Sequence, residues 1–178
     1  MALDIKGTLY TWGRNYKSAI DPKNTSDSYV TGVPVDITKN NSMLNGAVRI
    51  NSDAIGHTGS VLRSDGQIVS WGYNGYGSAG NGTTSDRITT TQADLNGKKA
   101  LYAKQGWHNA VAITTDGLVM MWGYAGYGTT GLGNSTTNKK PTVVADYSKH
   151  NYEQAIETMS ADSIEMQADD SDDTSLKK

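Results

Sequence analysis

Three histidines, His57, His108 and His150, are the side chains of this sequence best suited to acid–base chemistry or metal binding. Imidazole serves as a general base and as a zinc ligand, but a zinc site here would need all three residues together. His57 and His108 lie 51 residues apart, at the same position of an internal repeat. A histidine that recurs once per repeat favours a structural role, in which it hydrogen-bonds a neighbouring backbone and locks the strands. We therefore expect neither a catalytic histidine nor a metal site.

A second chemical motif is the glycine-rich stretch at residues 126–131, which has the Gly-x-Gly-x-x-Gly spacing of phosphate-binding loops. Residues 75–80 repeat this spacing, and both stretches are followed by Asn, Thr and Ser instead of a helical pattern. We interpret these glycines as turns of the repeat, with no nucleotide or other cofactor. The sequence also has no cysteine, and no serine or carboxylate pair has a recognisable catalytic partner. We expect a protein that is not an enzyme.

The repeat that contains these residues is marked by Trp-Gly dipeptides that begin at Trp12, Trp71 and Trp122. The second and third copies align without a gap at an offset of 51 residues. The matched positions are His57 with His108, Asp65-Gly66 with Asp116-Gly117, and Trp71 with Trp122. A fixed internal period is the signature of stacked structural repeats. These positions are predicted to be structural, with the tryptophans in the core and each indole N–H bonded to a carbonyl.

Turn chemistry divides each copy into short strands. Asn-Gly and Asp-Gly supply the positive φ angles of two-residue type I′ turns, so each dipeptide is predicted to join antiparallel strands. Apolar residues alternate on both sides of the Asp116-Gly117 turn, which predicts a hairpin with one buried face. The alternating residues are Val111, Ile113, Leu118, Met120 and Trp122. Further strands are predicted near residues 100–105 and 141–145, and four strands in about 50 residues is the size of a propeller blade.

The segment at residues 106–123, followed by Tyr-Ala-Gly-Tyr-Gly, resembles the repeat of the RCC1 (regulator of chromosome condensation) family. The resemblance covers roughly residues 7–147, with repeats at about 7–30, 44–82 and 95–133. It implies an all-β fold of RCC1-like propeller blades made of short antiparallel strands. Proteins of this kind usually close a ring of about seven blades. Two recognisable repeats and fragments of a third imply an incomplete ring.

The first and last repeats are fragments in this interpretation. The first copy begins at the strand that carries Trp12 and lacks its preceding strands, while residues 141–146 resemble the start of another repeat. A third blade is therefore expected to be shared between the two ends of the chain or between neighbouring chains. Two or three blades leave exposed strand edges that must be covered. This requirement predicts a homo-oligomer or a larger assembly with other proteins, held by blade-to-blade packing.

The C-terminal part of the sequence differs in composition from the repeats. Residues 1–147 are predicted to form the blade domain, and residues 148–178 an acidic, partly disordered extension with a short helix. Tyr152, Ile156 and Met159 have the spacing of that amphipathic helix. The Asp-rich residues 169–173 lack the ligand spacing of a calcium loop. We interpret them as a solvated tail, with a weak cation site or a docking tail as the alternatives.

Composition and charge argue against several classes of partner. The formal net charge of −2 gives no basic field that would attract nucleic acid. No apolar run approaches the length of a bilayer span, and the N-terminus lacks the pattern of a signal peptide. We therefore expect no membrane span and a cytoplasmic location, or a place in the virion if the protein is encoded by a phage.

The candidate recognition residues are aromatic and lie in loops. Tyr73, Tyr76, Tyr124 and Tyr127 follow the Trp-Gly dipeptides, and Trp107 replaces a glycine of the other copy. Such side chains can form a binding face for a protein or for a cell-surface glycan. The alternative is that they only pack the loops together.

The sequence favours a non-enzymatic structural or interaction protein that uses its blades as an oligomerising scaffold. Loops rich in Thr, Asn, Ser, Gly and Tyr suggest a phage decoration, collar or fibre protein, or a bacterial surface component. A glycan- or receptor-binding adhesin is the alternative. The resemblance also implies guanine nucleotide exchange or chromatin binding. We disfavour that function because a full ring and a basic face are missing from the sequence.

Overall fold

Short β-strands in three antiparallel sheets make up most of the regular structure. The structure is a computed structural model, and it describes residues 1–39, 41–52 and 56–149. We call the sheets blades 1, 2 and 3. Blade 1 contains β1 (Ala2–Leu3), β2 (Leu9–Arg14) and β3 (Val30–Asp36) in that order. Blade 2 contains β4 (Ala47–Ser52), β5 (Thr58–Arg63), β6 (Ile68–Asn74) and β7 (Ser85–Gln92). Blade 3 contains β8 (Ala100–Gln105), β9 (Asn109–Thr114), β10 (Leu118–Gly123) and β11 (Asn138–Asp146).

The all-β fold of antiparallel blades is confirmed, and so are the strands predicted near residues 100–105 and 141–145. Two details of the strand assignment are wrong. Residues 141–146 do not start another repeat, because they belong to β11 and pair with β10 as the fourth strand of blade 3. The first copy also has part of a preceding strand, since β1 pairs with β2 through Ala2 and Leu3.

The Asp-Gly turns join strands as predicted, but they are not two-residue type I′ turns. The N–H of Arg63 donates to the carbonyl of Gln67 at 2.9 Å, and the N–H of Gly66 donates to the carbonyl of Arg63 at 3.0 Å. This pattern closes a three-residue loop, in which only the glycine needs a positive φ. Gly66 and Gly117 have φ of 84° and 83°, whereas Asp65 is not in the left-handed region.

The Asn-Gly dipeptides do not join strands of one hairpin, which corrects the sequence prediction. Asn45-Gly46 lies between β3 of blade 1 and β4 of blade 2, and Asn96-Gly97 lies between β7 of blade 2 and β8 of blade 3. Positive φ angles at Gly46, Asn96 and Gly97 turn the chain from the last strand of one blade to the first strand of the next. Each Asn-Gly dipeptide therefore lies in the connection between two sheets.

The hydrophobic cores lie between successive blades. One cluster joins Leu9 of blade 1 to Val61, Val69 and Trp71 of blade 2. The other joins Leu62 and Ile68 of blade 2 to residues of blade 3. Its members from blade 3 are Ala100, Ala103, Ala110, Ala112, Met120 and Trp122. Blade 2 thus buries one face against blade 1 and the other against blade 3.

The buried face of β9 is the opposite of the predicted one. Ala110 and Ala112 are buried, whereas Ile113 is exposed and Val111 is half-buried. Ala110 pairs with Trp122 and Ala112 pairs with Met120 across the hairpin. Small side chains on β9 leave room for the large side chains of β10 at the contact with blade 2. The larger apolar residues of β9 consequently face away from blade 2.

Residues 1–148 form one compact unit, and residues 149–178 form a second unit of which only Lys149 is described. The predicted helix at Tyr152–Met159 and the Asp-rich stretch at 169–173 lie outside the described residues, so the predicted extension stays a prediction. Within the described part, the helices are three short 3₁₀ turns at Tyr16–Ser18, Ser42–Leu44 and Gly126–Gly128. None of them is long and apolar enough to cross a membrane.

Candidate functional site

The Trp-Gly dipeptides place aromatic side chains at one end of the blades. In blade 2, Gly72 has φ of 97°, and a side chain there would overlap the carbonyl oxygen of His57. That carbonyl instead accepts a hydrogen bond of 2.9 Å from the N–H of Tyr73. In blade 3, the carbonyl of His108 accepts from the N–H of Tyr124 at 2.8 Å. The glycine therefore lets the end of the tryptophan strand approach the histidine of the neighbouring strand.

Five aromatic side chains meet where these strand ends of blades 2 and 3 come together. We call Tyr73, Tyr76, Trp107, His108 and Tyr124 the aromatic cluster. The His108 ring lies 5.2 Å from the Tyr73 ring, 4.8 Å from the Tyr76 ring and 4.8 Å from the Trp107 ring, measured between centroids. Tyr124 contacts Tyr76 at 5.1 Å and Trp107 at 5.7 Å, both edge to face. Such edge-to-face packing is a favourable arrangement of aromatic rings.

The aromatic cluster combines a buried centre with an exposed edge. His108 is buried, Tyr73, Tyr76 and Tyr124 are half-buried, and Trp107 is 52% exposed. Burial raises the pKa of the Tyr73 phenol above its ordinary value of 10.0, with a smaller contribution from the Tyr76 phenol. The Tyr73 hydroxyl therefore stays protonated at neutral pH and is a hydrogen-bond donor.

Four of the five predicted recognition residues thus lie together, and Tyr127 does not. Tyr127 is 98% exposed and has φ of 61° within the turn Gly126–Gly128. The sequence placed it beside Tyr124 in the same loop, but the left-handed backbone directs it elsewhere. Whether any of these residues bind a ligand stays a prediction.

The boundary between blades 1 and 2 has a smaller arrangement of the same kind. The Tyr16 ring lies 4.7 Å from the ring of His57, which is the repeat equivalent of His108. The guanidinium of Arg14 lies 5.8 Å from the Tyr16 ring centroid, and the ammonium of Lys17 lies 5.1 Å from it. These are cation–π distances. The repeat positions of Arg14 and Lys17 are occupied in blade 2 by Tyr73 and Tyr76.

The carbonyl oxygens of His57 and His108 accept hydrogen bonds from the ends of the tryptophan strands, and both rings join aromatic contacts. A three-histidine zinc site would also need His150, which lies outside the described residues. Among residues 1–39, 41–52 and 56–149, no three metal-ligating His, Cys, Asp or Glu side chains lie together.

Two of the three repeat tryptophans are core residues. Trp71 and Trp122 are 0% and 1% exposed. The indole N–H of Trp71 donates to the carbonyl of Ala19 at 2.9 Å, and that of Trp122 donates to the carbonyl of Ser78 at 2.8 Å. The prediction of a core position is wrong for Trp12, which is 42% exposed. The acceptors explain the difference, since each buried indole uses a carbonyl of the preceding blade, and no described residues form a blade before blade 1.

The predicted structural residues of the turns make local contacts. Asp65 accepts a hydrogen bond from the N–H of Gln67 at 3.1 Å and pairs with Arg63 at 2.8 Å. The side chain of Asp116 pairs with Lys98 at 2.5 Å. This hydrogen bond from Lys98, together with one from Thr114, lowers the pKa of Asp116 below its ordinary value of 3.8. Gly66 and Gly117 supply the left-handed positions of the two loops.

Two buried asparagines organise the loops and were missed by the sequence interpretation. The side chain of Asn15 accepts hydrogen bonds from the N–H groups of Ile20 and Asp21 at 3.0 and 2.8 Å. Asn74 accepts from the N–H of Ala79 at 2.9 Å and donates to the carbonyl of Thr83 at 3.2 Å. Both asparagines are fully buried. The available signal was the shared spacing Trp-Gly-x-Asn in the first two copies.

Comparison with known proteins supports the repeat assignment, although no family model matches the chain. The ultraviolet-B receptor UVR8 of Arabidopsis thaliana is 28% identical over 137 residues, covering 75% of this chain and 29% of the receptor. The RCC1 domain-containing mitochondrial protein RUG3 of the same plant is 31% identical over 127 residues, covering 70% of this chain and 27% of that protein. The human E3 ubiquitin-protein ligase HERC2 is 29% identical over 151 residues, covering 81% of this chain and 3% of the ligase. The chain therefore spans less than a third of the length of these curated relatives.

Solved structures show the same fold. Human WBSCR16 superposes with a TM-score of 0.62 at 21% identity, covering 79% of this chain and 34% of that one. Prp20p from Saccharomyces cerevisiae superposes with a TM-score of 0.61 at 20% identity, covering 82% of this chain and 36% of Prp20p. The tryptophan strands, the loops that follow them and the contacts between sheets recur from one repeat to the next. The three sheets of this chain are therefore RCC1-like blades, and they form part of a propeller ring that is not closed within the described residues.

Proposed function

We propose that this chain is a non-enzymatic protein-interaction scaffold that binds a partner protein through the aromatic cluster. The observation that carries the proposal is the packing of Tyr73, Tyr76 and Trp107 around His108, with Trp107 at the exposed edge. Tyr124 completes the cluster against Tyr76 and Trp107. Exposed tryptophan and tyrosine side chains held rigidly by their neighbours are typical of the energetically important part of a protein interface.

The neighbouring blade boundary suggests the chemistry of the partner. There, Arg14 and Lys17 of the chain itself lie over the Tyr16 ring. In the aromatic cluster the equivalent positions carry Tyr73 and Tyr76, so two rings replace the two cations, and Gly75 replaces Tyr16. A basic side chain of a partner would supply the cation for a cation–π contact with these rings. The partner we propose is therefore a peptide segment that contains Arg or Lys.

The comparisons favour protein partners in general. Prp20p, which shares the fold, binds Gsp1p and histones. The receptor role of UVR8 and the ligase activity of HERC2 are not assigned to this chain, because it covers only 29% of UVR8 and 3% of HERC2. For this chain, the absence of enzymatic activity is part of our proposal.

The proposal can be tested on a peptide array that contains basic, acidic and apolar sequences. We expect the purified chain to retain basic peptides. Trp107→Ala should raise the dissociation constant of a retained peptide about tenfold. Tyr127→Ala is the matched control, because Tyr127 is an exposed aromatic residue outside the aromatic cluster. No peptide binding, or equal losses in both variants, would overturn the proposal.

The adhesin alternative makes a different prediction. A glycan site on the exposed loops would give signals on a glycan array, and those signals would depend on Tyr127 as well as on Trp107. The narrower hypothesis, a phage virion or bacterial surface component, is supported by loop composition, and the relatives named above come from a plant and from human. Self-association through the blades is the part of the scaffold hypothesis that the exposed blade faces support.

A further inference from the structure

The contact between blades follows one rule that is repeated twice in the chain. Blades 1 and 2 each present an outgoing face to the blade after them, with one apolar residue on the strand before the tryptophan strand and one on the tryptophan strand itself. These residues are Leu3 and Leu9 in blade 1, which pack in the core shared with Trp71. In blade 2 the equivalent residues are Leu62 and Ile68, which pack in the core shared with Trp122.

The incoming face of each blade carries the tryptophan. Its ring packs on the outgoing face of the preceding blade, and its N–H donates to the carbonyl of the residue seven positions after the preceding tryptophan. That acceptor is Ala19 for Trp71 and Ser78 for Trp122, at 2.9 and 2.8 Å. One face and one carbonyl therefore form a complete socket for an indole ring.

Each of the two outer blades leaves half of this contact exposed. Blade 3 has a complete outgoing face at Ile113 and Val119, with the socket carbonyl at Thr129. Ile113 is 38% exposed, whereas its equivalent Leu62 is 3% exposed. Blade 1 has an incoming face with Trp12, which is 42% exposed. Both halves of one blade contact thus lie on the surface of the same molecule.

We infer that the incoming face of blade 1 docks on the outgoing face of blade 3 of a second copy of this chain. In this contact the Trp12 ring covers Ile113 and Val119, and its indole N–H donates to the Thr129 carbonyl. The occupant is a second copy because its outgoing face has the residues that the two internal contacts already use. The two joined surfaces differ, so the contact is heterologous and yields closed rings or open filaments.

This inference rests on the scaffold role proposed above, but it uses a different surface from the aromatic cluster. Sedimentation velocity on the full chain over a range of concentrations should show assemblies larger than a monomer. Trp12→Ala should raise the dissociation constant of self-association about 30-fold, as expected for a tryptophan at the centre of an interface. Trp107→Ala is the matched control, since Trp107 is also exposed but lies in the aromatic cluster.

A complementation experiment tests the head-to-tail geometry directly. Ile113→Glu should also weaken self-association, because a charge then lies in the indole socket. A mixture of the Trp12→Ala and Ile113→Glu proteins should form a heterodimer, in which the intact Trp12 of one docks on the intact Ile113 of the other. Circular dichroism on each variant confirms that the blades are folded.

The outcomes separate this inference from the proposed function. A wild-type chain that is monomeric at every concentration overturns the docking model, and so does a mixture of the two variants that stays monomeric. If such a monomer still binds basic peptides through Trp107, the proposed function stands and only the docking model fails. If the chain assembles but binds no basic peptide, the docking model stands and the proposed function fails.

Discussion

The indole N–H of Trp71 donates to the backbone carbonyl of Ala19 across the boundary between blades 1 and 2, at 2.9 Å. The contact joins residues 52 positions apart in the sequence and is buried. Trp122 and Ser78 repeat it between blades 2 and 3. This bond links the tryptophans of blades 2 and 3 to the loop of the preceding blade, so a directional contact fixes the relative position of the blades in addition to apolar packing.

Trp71→Phe tests the contribution of that bond. Phenylalanine keeps an aromatic ring but has no N–H, so the Ala19 carbonyl loses its partner and part of the indole volume is left empty. We expect the free energy of unfolding to fall by about 2 kcal/mol in urea denaturation. Trp12→Phe is the repeat-equivalent control, measured at a concentration low enough to avoid association. Its exposed ring predicts a change within about 0.5 kcal/mol.

Gly72→Ala tests the glycine of the Trp-Gly dipeptide. Gly72 has φ of 97°, and a methyl group there would overlap the carbonyl oxygen of His57. Gly97 also has a positive φ, 76°, but has no atom within 4 Å of the same position. We expect Gly97→Ala to cost about 1 kcal/mol from backbone strain. Gly72→Ala should cost at least about 2 kcal/mol more, because the strands must separate. Equal losses in thermal unfolding would show that the close approach is unimportant.

Asn74→Ala tests the buried loop asparagine. The substitution leaves the N–H of Ala79 and the carbonyl of Thr83 without their side-chain partner. We expect a loss of about 2 kcal/mol in unfolding free energy, together with faster hydrogen exchange at the Ala79 amide. Asn134→Ala is the control, because its side chain makes its hydrogen bonds at the surface. Unchanged exchange at Ala79 would contradict the assigned role.

Much of this fold could be predicted from the sequence, because the Trp-Gly spacing and the constant offset report stacked repeats directly. Burial of individual residues could not, since it depends on which blade lies next to each face. Trp12 and Trp71 share the motif Trp-Gly-x-Asn, but among the described residues only Trp71 has a preceding blade to pack against. The same reason explains why Ile113 is exposed while Leu62 is buried.

Only part of the candidate site could be predicted, because the packing between blades decides which loop residues lie together. Tyr73, Tyr76 and Tyr124 were found because they follow Trp-Gly, but the position of Trp107 beside them depends on the packing of blade 3 against blade 2. Asn74 was missed because its loop contacts do not follow the alternation of buried and exposed residues that marks a strand. Its repeat signal is also broken, since blade 3 has Ala125 at that position.

Asp27 gives a prediction about pH. Its carboxylate accepts a hydrogen bond of 2.9 Å from the N–H of Lys17 and a further one from Arg87 of blade 2. The hydrogen bond from the Lys17 backbone, followed by the charge of Arg87, lowers the pKa of Asp27 below its ordinary value of 3.8. A carboxyl whose pKa is lowered by folding stabilises the fold above its unfolded pKa and loses that contribution as the pH falls through the folded value.

The contact between blades 1 and 2 should therefore weaken in acid. Urea denaturation at about pH 7 and at about pH 3 should show a lower unfolding free energy at the acid pH. Asp27→Asn should be less stable than the wild-type chain at neutral pH and should lose less stability on acidification, because the amide does not titrate and attracts Arg87 less strongly. If the variant and the wild-type chain lose equal stability between the two pH values, the acid sensitivity arises from other carboxylates and protonation of Asp27 is not its cause.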